Sequence, residues 1–374
     1  MTDAHVLIAA DKFKGSLTAV EVADHLTAGI RRAAPGATVT ALPVADGGDG
    51  TVDAVVSARN AGFERRTARV AGPLGEPVTA AWALRGDTAV VEMAEASGLR
   101  RLPPGRYAPL TATTYGTGEL LRAALDAGAR TVVLGVGGSA TTDGGAGMLA
   151  ALGARFLDAS GRPLGPGGAA LAALDRVDLS GLDERLARTS VVLACDVDNP
   201  LTGPSGAAAV YGPQKGASPG DIAVLDAALG RIARALDPAL ADAPGAGAAG
   251  GLGYGALAGL GAVFRPGIEV LLDVVGFAEA LERADVVITG EGSLDEQTLR
   301  GKAVAGVAAV ARGRGVRVVA VCGRLGLEWE DLVALGVGRA YALSELEPDP
   351  ERCMAEAGAL LERVGERIAR ECLG

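Results

Sequence analysis

The sequence predicts an α/β protein, in which a Rossmann-like parallel-sheet domain is built from both chain ends and a second α/β domain is inserted. Near both termini, apolar β-branched runs alternate with helical stretches, a pattern typical of parallel sheets. In between, short runs joined by Gly and Pro turns indicate antiparallel strands. The chain has 374 residues, which suggests two domains of ordinary size.

The first elements are the clearest in the sequence. Residues 5–10, H-V-L-I-A-A, are apolar from Val6 onward and predict a buried strand, and residues 19–33 predict a helix. Thr18 is followed three residues later by Glu21, the capping-box pattern that begins a helix. Residues 38–44 predict the second strand of the parallel sheet.

The middle of the chain predicts the inserted domain. Its strands are predicted at residues 66–70, 77–84, 88–93, 131–134, 155–157 and 190–194, and its helices at 116–127 and 221–236. The stretch 244–261 is too rich in glycine to predict a helix. Two short helical pieces are predicted within residues 264–281.

The C-terminal part returns to alternating strands and helices. Strands are predicted at residues 285–288, 316–321 and 340–344, with a helix up to Arg312 and a closing helix at 351–371. We therefore predict that residues 1–64 and 285–374 form the Rossmann-like domain and that residues 65–284 form the inserted domain. Residues 110–152 are an alternative part of the first domain.

Charge and composition narrow the classes of partner. The net charge of −10 disfavours nucleic acid and acidic membrane surfaces as partners. The four cysteines form no C-x-x-C pair, and no signal-peptide or membrane-spanning pattern is visible, which predicts a cytoplasmic protein with reduced thiols. Only 3 % of residues are aromatic, so the predicted core is aliphatic. The oligomeric state stays open.

Glycine-rich loops with acidic and hydroxyl side chains follow several predicted strands. The longest runs from residue 134 to 148, L-G-V-G-G-S-A-T-T-D-G-G-A-G-M. Backbone amides in such a loop can bind an anion, and Ser or Thr hydroxyls can donate to oxyanions. The D-G-G-x-G pattern at residues 143–147 also occurs at residues 46–50. Because open α/β sheets bind ligands at the carboxyl ends of strands, the loops predict a polar cleft.

One candidate chemistry is hydride transfer by an NAD-dependent dehydrogenase of a small hydroxy acid. Residues 135–140 satisfy the dinucleotide pattern G-x-G-x-x-A, and Asp158 follows at about the distance of the acid that binds a ribose hydroxyl. Against it, the glycines at 144–145 would weaken a following helix. The two histidines, His5 and His25, lie in a predicted strand and helix, and we interpret both as structural.

The other candidate chemistry is phosphoryl transfer. It needs cations and N–H donors for phosphates, carboxylates for Mg²⁺, and a group that orients or deprotonates the acceptor hydroxyl. The cations in loops at predicted strand ends are Lys12, Lys14, Lys215 and Lys302. The acids in such loops are Asp46, Asp49, Asp143, Asp196, Asp198, Glu291 and Asp295. The P-loop and protein-kinase signatures are absent from the sequence.

Seven segments together resemble the bacterial glycerate kinase family. They are D-K-F-K-G-S-L-T at 11–18, P-V-A-D-G-G-D-G-T at 43–51, G-V-G-G-S-A-T-T-D-G-G-A-G-M at 135–148, A-C-D-V-D-N-P-L at 194–201, G-P-Q-K-G-A at 212–217, G-A-A-G-G-L-G-Y-G at 247–255 and T-G-E-G-S-L-D-E-Q-T at 289–298 with G-K-A at 301–303. They occur in the order of the family. Lys12 departs from it, because a small Ser is expected there in D-S-F-K-G, whereas Lys14 matches.

The resemblance implies ATP-dependent phosphorylation of D-glycerate, with Mg²⁺, to 2-phosphoglycerate or its 3-phospho isomer in a cleft between two α/β domains. The predicted small-molecule partners are thus D-glycerate and ATP. Which loop takes ATP and which takes glycerate stays open.

Three sets of residues are predicted to form the site. The catalytic set is Asp196, Asp295 and Lys14. The substrate- or phosphate-binding set is Lys12, Ser16, Asp46, Gly47, Gly48, Gly137, Gly138, Ser139, Thr141, Thr142, Lys215, Gly290, Ser293 and Lys302. The metal ligands are Asp143, Asp198 and Glu291. Asp196 is preferred to Asp295 as the group that orients the acceptor hydroxyl, because it directly follows a predicted buried strand, whose backbone is rigid.

Overall fold

The computed structural model describes residues 4–45, 47–58, 61–300 and 303–373. The chain divides into two compact units. Unit 1 comprises Met1–Asp46, Asp53–Phe63 and Ile268–Gly374, and unit 2 comprises Gly47–Val52 and Glu64–Gly267. The mixed α/β class with parallel sheets is confirmed, while the predicted domain boundaries stay a prediction.

The described strands and α-helices follow one another along the whole chain. The strands are β1 (His5–Ala10), β2 (Thr38–Ala41), β3 (Glu64–Ala71), β4 (Pro77–Arg85), β5 (Thr88–Glu92), β6 (Thr131–Gly135), β7 (Arg155–Leu157), β8 (Arg176–Asp178), β9 (Ser190–Ala194), β10 (Val263–Arg265), β11 (Val286–Leu294), β12 (Arg317–Leu325) and β13 (Arg339–Ala342). The helices are α1 (Ala19–Ala33), α2 (Thr51–Ser57), α3 (Ala94–Ser97), α4 (Tyr115–Asp126), α5 (Ala146–Ala151), α6 (Ala207–Tyr211), α7 (Pro219–Ala235), α8 (Ala248–Leu260), α9 (Gly267–Val275), α10 (Phe277–Leu281), α11 (Ala303–Gly313), α12 (Trp329–Leu335), α13 (Pro350–Ala355) and α14 (Ala357–Cys372).

Unit 1 is built on a parallel sheet of strand order β13-β12-β11-β1-β2. Helices α1 and α14 bury an aliphatic core against it, in which Ile8 of the sheet packs with Leu26 of α1 and Leu361 of α14. Helix α11 packs against β11, β12 and β1. The order of the strands reverses at β1, which makes the ends of β1 and β11 the switch point where such sheets bind ligands.

Helix α1 begins and packs as its sequence predicts. The Thr18 hydroxyl accepts the N–H of Glu21 at 3.2 Å, and the Glu21 carboxylate accepts the N–H of Thr18 at 2.8 Å, which completes the capping box. A Cβ atom at Gly29 would lie 2.0 Å from the Glu362 carbonyl oxygen of α14. Glycine at this position therefore lets the two helices pack closely.

Unit 2 contains a mixed sheet of strand order β10-β9-β6-β5-β4-β3. Strands β5, β6, β9 and β10 are parallel, whereas β4 pairs antiparallel with both β3 and β5. The predicted antiparallel strands in the middle of the chain are thus confirmed. Strands β7 and β8 form a separate antiparallel pair. The core is aliphatic, with Leu134 of β6 and Leu193 of β9 fully buried in it.

Two glycine-rich stretches differ from the sequence prediction. Residues 289–294 continue β11 rather than forming a loop, because a Cβ atom at Gly290 would lie 2.1 Å from the Val321 carbonyl oxygen of the paired strand β12. The stretch 244–261 contains α8, interrupted by a left-handed turn in which Ala249, Gly250 and Gly251 have φ of 52°, 70° and 86°. The predicted closing helix is also divided, into α13 and α14.

Within the described part of the chain, no helix is long and apolar enough to cross a membrane.

Candidate active site

The carboxyl ends of four parallel strands lie side by side in unit 2. The last residues of β5, β6 and β9, namely Glu92, Gly135 and Ala194, are register partners across the sheet, and Arg265 of β10 pairs with Ala194. The segments that follow these strands therefore begin at one edge of the sheet. Such an edge is where open α/β sheets bind their ligands.

Residues 47–52, called segment 47–52 below, lie against this edge. A Cβ atom at Gly47 would lie 2.8 Å from the Ala194 carbonyl oxygen, and one at Gly137 would lie 2.5 Å from Cα of Gly48. Any larger residue at Gly47 or Gly137 would push the two backbones apart. Gly47 and Gly48 and the start of the long glycine loop thus come together at this edge.

Asp143 anchors the long glycine loop from within the protein. Its side chain is fully buried and accepts the N–H of Thr114 at 2.8 Å, the Thr114 hydroxyl at 2.9 Å and the N–H groups of Gly145 and Gly147 at 3.2 and 3.3 Å. Burial raises the pKa of Asp143, while the donated hydrogen bonds oppose that shift. Its carboxylate is therefore committed to holding the loop on the start of α4.

Lys215 is also a buried partner of the long glycine loop. Its side chain is 1 % exposed, and its Nζ donates to the Thr141 carbonyl oxygen at 2.6 Å. Burial lowers the pKa of Lys215 to about 7, and the charge of Asp143 works against that shift. The hydroxyl oxygens of Thr141 and Thr142 are buried without a hydrogen-bond partner among the described residues. Lys215 thus fixes the backbone that carries these hydroxyls.

Asp196 follows β9 at the same edge of the sheet. Its Oδ1 accepts the N–H of Gly267, the first residue of α9, at 2.8 Å. Asp198 is exposed two residues later. Asn199 accepts the Tyr211 hydroxyl at 2.6 Å. This hydrogen bond holds the Asp196 side chain in place, so at least one of its oxygens has a structural role.

In unit 1, the segment after β1 forms a tight turn that carries the predicted lysines. Phe13 and Leu17 close the turn through a backbone bridge, and the Ser16 hydroxyl donates to the Phe13 carbonyl oxygen at 3.1 Å. Lys14 is exposed, and Lys12 is partly buried. The turn that carries the two lysines therefore follows β1 at the switch point of the sheet, where such sheets bind ligands.

The carboxyl end of β11 lies beside this turn. A Cβ atom at Gly292 would lie 3.2 Å from the backbone nitrogen of Lys14. Glu291 is 9 % exposed and accepts the Thr298 hydroxyl at 2.6 Å. Asp295 accepts the N–H of Gln297 at 2.9 Å.

The Ser293 hydroxyl on β11 is buried and has no hydrogen-bond partner in the part of the chain that the structure describes. The same holds for Thr289, four residues earlier on the strand. A buried hydroxyl without a partner is uncommon, so each can donate to a ligand or a water molecule.

The predicted site residues fall into two sets. Unit 2 holds Gly47, Gly48, Gly137, Gly138, Ser139, Thr141, Thr142, Asp143, Asp196, Asp198 and Lys215, and unit 1 holds Lys12, Lys14, Ser16, Gly290, Glu291, Ser293 and Asp295. Asp46 and Lys302 lie outside the described residues. Among the residues that are described, no group of three or more His, Cys, Asp or Glu side chains could hold a metal ion. The roles assigned to the individual residues stay predictions.

Glu92 is a residue of this edge that the sequence reasoning missed. It is 1 % exposed, and its two carboxylate oxygens accept the N–H groups of Gly50 and Val52, each at 3.2 Å. The available signal was an acid at the end of the apolar run T-A-V-V-E. A buried strand that ends on a carboxylate needs donors for it, and here segment 47–52 supplies two.

The dinucleotide-binding alternative does not fit the local structure. Asp158 lies in the turn after β7, outside the six-stranded sheet, and accepts the N–H groups of Ser160 and Arg162 at 2.8 and 2.9 Å. The hydrogen bond from the Ser160 hydroxyl and these two N–H groups lower the pKa of Asp158. The helix after β6 begins only at Ala146 rather than directly after the G-x-G turn. The strand–turn–helix context that the fingerprint requires is therefore missing.

The fold and these segments define an α/β protein with glycine-rich loops at the carboxyl ends of parallel strands, an architecture typical of enzymes that bind small molecules. The model of the glycerate kinase family matches residues 6–373 of the chain. Glycerate kinase of Bacillus subtilis (strain 168) is 46 % identical over 370 residues, 97 % of this chain and 96 % of that protein. Glycerate 2-kinase of Escherichia coli (strain K12) is 47 % identical over 326 residues, 86 % and 85 % of the two chains.

A solved structure agrees with these matches. A crystal structure described as a candidate glycerate kinase 2 of Salmonella typhimurium LT2 has a TM-score of 0.85 and 43 % sequence identity to this chain, covering 99 % of it and 98 % of that chain. The chain belongs to the glycerate kinase family and is a phosphotransferase. The resemblance deduced from the seven segments is thereby confirmed, and the dehydrogenase alternative is wrong.

Proposed function

We propose that the protein transfers the γ-phosphoryl group of ATP to the 2-hydroxyl of D-glycerate, giving 2-phosphoglycerate and ADP. The choice of the 2-hydroxyl is supported by a relative named glycerate 2-kinase that is 47 % identical over 326 residues. The observation that carries the proposal is the placement of Asp196 after β9, with Gly47 packed on the last residue of that strand. This placement puts a carboxylate beside a glycine-rich edge able to receive phosphate.

In the proposed reaction, the glycerate hydroxyl oxygen forms a bond to the γ-phosphorus as the bond to the ADP oxygen breaks. The hydroxyl proton passes to a carboxylate, for which Asp196 is the first choice and Asp295 the second. Asp196 suits the role because its Oδ1 is already fixed by the N–H of Gly267. A fixed carboxylate holds the acceptor near its attack geometry without further ordering.

The anionic groups of both substrates need local cations, because the chain as a whole carries a net charge of −10. Lys12, Lys14 and the Ser293 hydroxyl supply cations and a hydrogen-bond donor at the switch point of unit 1. Ser139 and the amides of residues 137–138 supply donors in unit 2. Lys215 acts indirectly, since its Nζ is buried and donates to the Thr141 carbonyl oxygen.

Mg²⁺ fits this chain as a companion of the ATP phosphates rather than as an ion in an all-protein cage. Mg²⁺ in kinases is held by one or two carboxylates, by phosphate oxygens and by water, so a group of three protein ligands is not required. Asp143 does not fit as a ligand, because its buried carboxylate accepts hydrogen bonds from Thr114, Gly145 and Gly147. Asp198 and Glu291 fit better. When bound, the ion supplies charge neutralisation on the phosphates.

The test is to incubate the protein with ATP, Mg²⁺ and D-glycerate and to identify the product by phosphorus NMR. We expect equal amounts of ADP and 2-phosphoglycerate, and no turnover once a chelator exceeds the Mg²⁺. A product with phosphate on the 3-hydroxyl would correct the acceptor. Absence of glycerate-dependent ADP formation would overturn the proposed function, and full turnover in the chelator would remove the metal from it.

A further inference from the structure

The Glu92 carboxylate connects strand β5 to segment 47–52. Its Oε1 accepts the N–H of Gly50, and its Oε2 accepts the N–H of Val52, each at 3.2 Å. Within the segment, the Thr51 hydroxyl donates to the Gly48 carbonyl oxygen at 2.7 Å. The carboxylate and this internal bond together determine the path of the backbone from Gly48 to Val52.

A second contact fixes the other end of the segment. Gly47 and Gly48 are packed so closely on Ala194 and Gly137 that a Cβ atom at Gly47 would lie 2.8 Å from the Ala194 carbonyl oxygen. The segment is therefore held between the ends of β6 and β9 on one side and the Glu92 carboxylate on the other. A change in Glu92 would release only the second of these two attachments.

Among the described residues, Arg100 and Glu95 are the charged groups that act on the Glu92 carboxylate. Arg100 donates its Nη2 to Oε1 of Glu92 at 3.1 Å and also pairs with Glu95. Glu95 is paired in turn with Arg101 at 2.9 Å. Burial raises the pKa of Glu92 to about 7, and the negative charge of Glu95 adds to that shift. The charge of Arg100 and the N–H groups of Val52 and Gly50 act in the opposite direction. The carboxylate is therefore poised to gain or lose its proton near neutral pH.

We propose that Glu92 is a positioning residue for the reaction, which sets the conformation of segment 47–52 through the amides of Gly50 and Val52. The ionised form accepts both amides and the Arg100 guanidinium. Protonation turns one carboxylate oxygen into a donor, which weakens its hydrogen bond to the segment. The kinetic part of this inference rests on the proposed glycerate kinase activity, whereas its structural part does not.

The substitution Glu92→Gln tests the inference, because it keeps the size of the side chain and replaces one acceptor oxygen with an NH₂ donor. We expect kcat/KM for phosphorylation of D-glycerate to fall at least tenfold. Hydrogen exchange followed by NMR should become at least tenfold faster at the amides of Gly50 and Val52, and should stay unchanged at Val133 in β6.

The matched control is Glu119→Gln. Glu119 is a partly buried glutamate of unit 2 that, like Glu92, accepts a backbone N–H, here that of Ala71 at 2.7 Å. This control should leave kcat/KM and the exchange of the Gly50 and Val52 amides unchanged. Unchanged exchange at those amides in folded Glu92→Gln would overturn the inference, and so would a kcat/KM within threefold of the wild type.

Arg100→Gln keeps the inference testable if Glu92→Gln does not fold. Arg100 lowers the pKa of Glu92, so its removal should move the acidic limb of the kcat/KM profile to higher pH by at least half a unit. In folded Glu92→Gln, the same limb should disappear. A limb that stays in place in Arg100→Gln would overturn the inference. If the wild type does not phosphorylate glycerate, the proposed function fails. Hydrogen exchange at the amides of Gly50 and Val52 between pH 6 and 8 then still tests whether Glu92 holds segment 47–52.

Discussion

Lys215 and Thr141 are joined by a hydrogen bond of 2.6 Å from Nζ of the lysine to the carbonyl oxygen of the threonine, inside unit 2. The lysine is 1 % exposed, so its ammonium group gives up most of its hydration for one acceptor and the charge of Asp143. Such an arrangement holds a backbone in place at a cost in stability, because a buried charge is disfavoured.

The first prediction concerns the pH dependence of stability that Lys215 causes. Its pKa is about 7 in the folded protein and 10.5 in the unfolded chain, so the unfolded state binds more protons between these values. Stability due to this group should therefore rise with pH in that window, by up to about 1.4 kcal/mol per pH unit. Lys215→Met has no group that titrates at this position. Its free energy of unfolding in urea, relative to that of the wild type, should therefore fall steadily from pH 7 to pH 9.5. A constant difference between the two proteins would contradict the assignment.

The second prediction separates a structural role of Asp143 from a metal-binding one. Asp143→Ala leaves the N–H groups of Thr114, Gly145 and Gly147 without their acceptor in a buried place. We expect a loss of at least about 2 kcal/mol in the free energy of unfolding, measured with urea and without Mg²⁺. Thr114→Ala removes a hydroxyl and a methyl group but leaves the Asp143 carboxylate as the acceptor of the three N–H groups, so it should lose less. If Asp143→Ala is as stable as the wild type but binds Mg²⁺ more weakly, Asp143 is a metal ligand, as the sequence predicts.

Local patterns in the sequence predicted much of the fold. The capping box of Thr18 and Glu21 spans only four residues, so its chemistry is complete in the local sequence. Strand β11 is longer than the sequence predicts, because the reason for its extension lies in a distant segment of the chain. Its glycines resemble a loop, and only the approach of Gly290 to Val321 of the neighbouring strand shows why they belong to a sheet.

The candidate site was predictable as a set of loops but not in its internal contacts. Lys215 meets Thr141 across 74 positions in sequence, and Glu92 meets Gly50 across 42. Nothing local to either residue indicates burial, since Lys and Glu are mostly exposed side chains. For this reason the sequence predicts Lys215 as a phosphate-binding residue and does not indicate a role for Glu92.

The third prediction concerns Lys14 at the switch point of unit 1. Lys14→Ala should lower kcat/KM for glycerate phosphorylation by at least tenfold, about 1.4 kcal/mol of lost transition-state stabilisation. The reason is that its backbone lies beside Gly292 of β11 and its side chain is exposed, so the ammonium group is free to reach an anionic group at this strand end. Arg314→Ala is the control for a change in net charge, because Arg314 pairs with Glu282 on the surface of the same unit. Equal kcat/KM values for the two variants would make Lys14 an ordinary surface lysine.

The last prediction concerns Asp196, whose Oδ1 accepts the N–H of Gly267 at 2.8 Å. Asp196→Asn keeps a carbonyl oxygen for that N–H and removes the negative charge, whereas Asp196→Ala removes both. If Asp196 takes the proton of the acceptor hydroxyl, the Asn variant should lose about a hundredfold or more in kcat, while its Kd for ATP and its stability in urea stay near those of the wild type.

The Ala variant separates the two roles of Asp196. It should lose kcat to a similar extent and should also be less stable by about 1 kcal/mol, because the N–H of Gly267 loses its acceptor. Asp295→Asn, measured in parallel, should then have the smaller effect on kcat. If Asp196→Asn keeps kcat within threefold while Asp196→Ala is destabilised, Asp196 only holds the start of α9, and the proton passes to Asp295 instead.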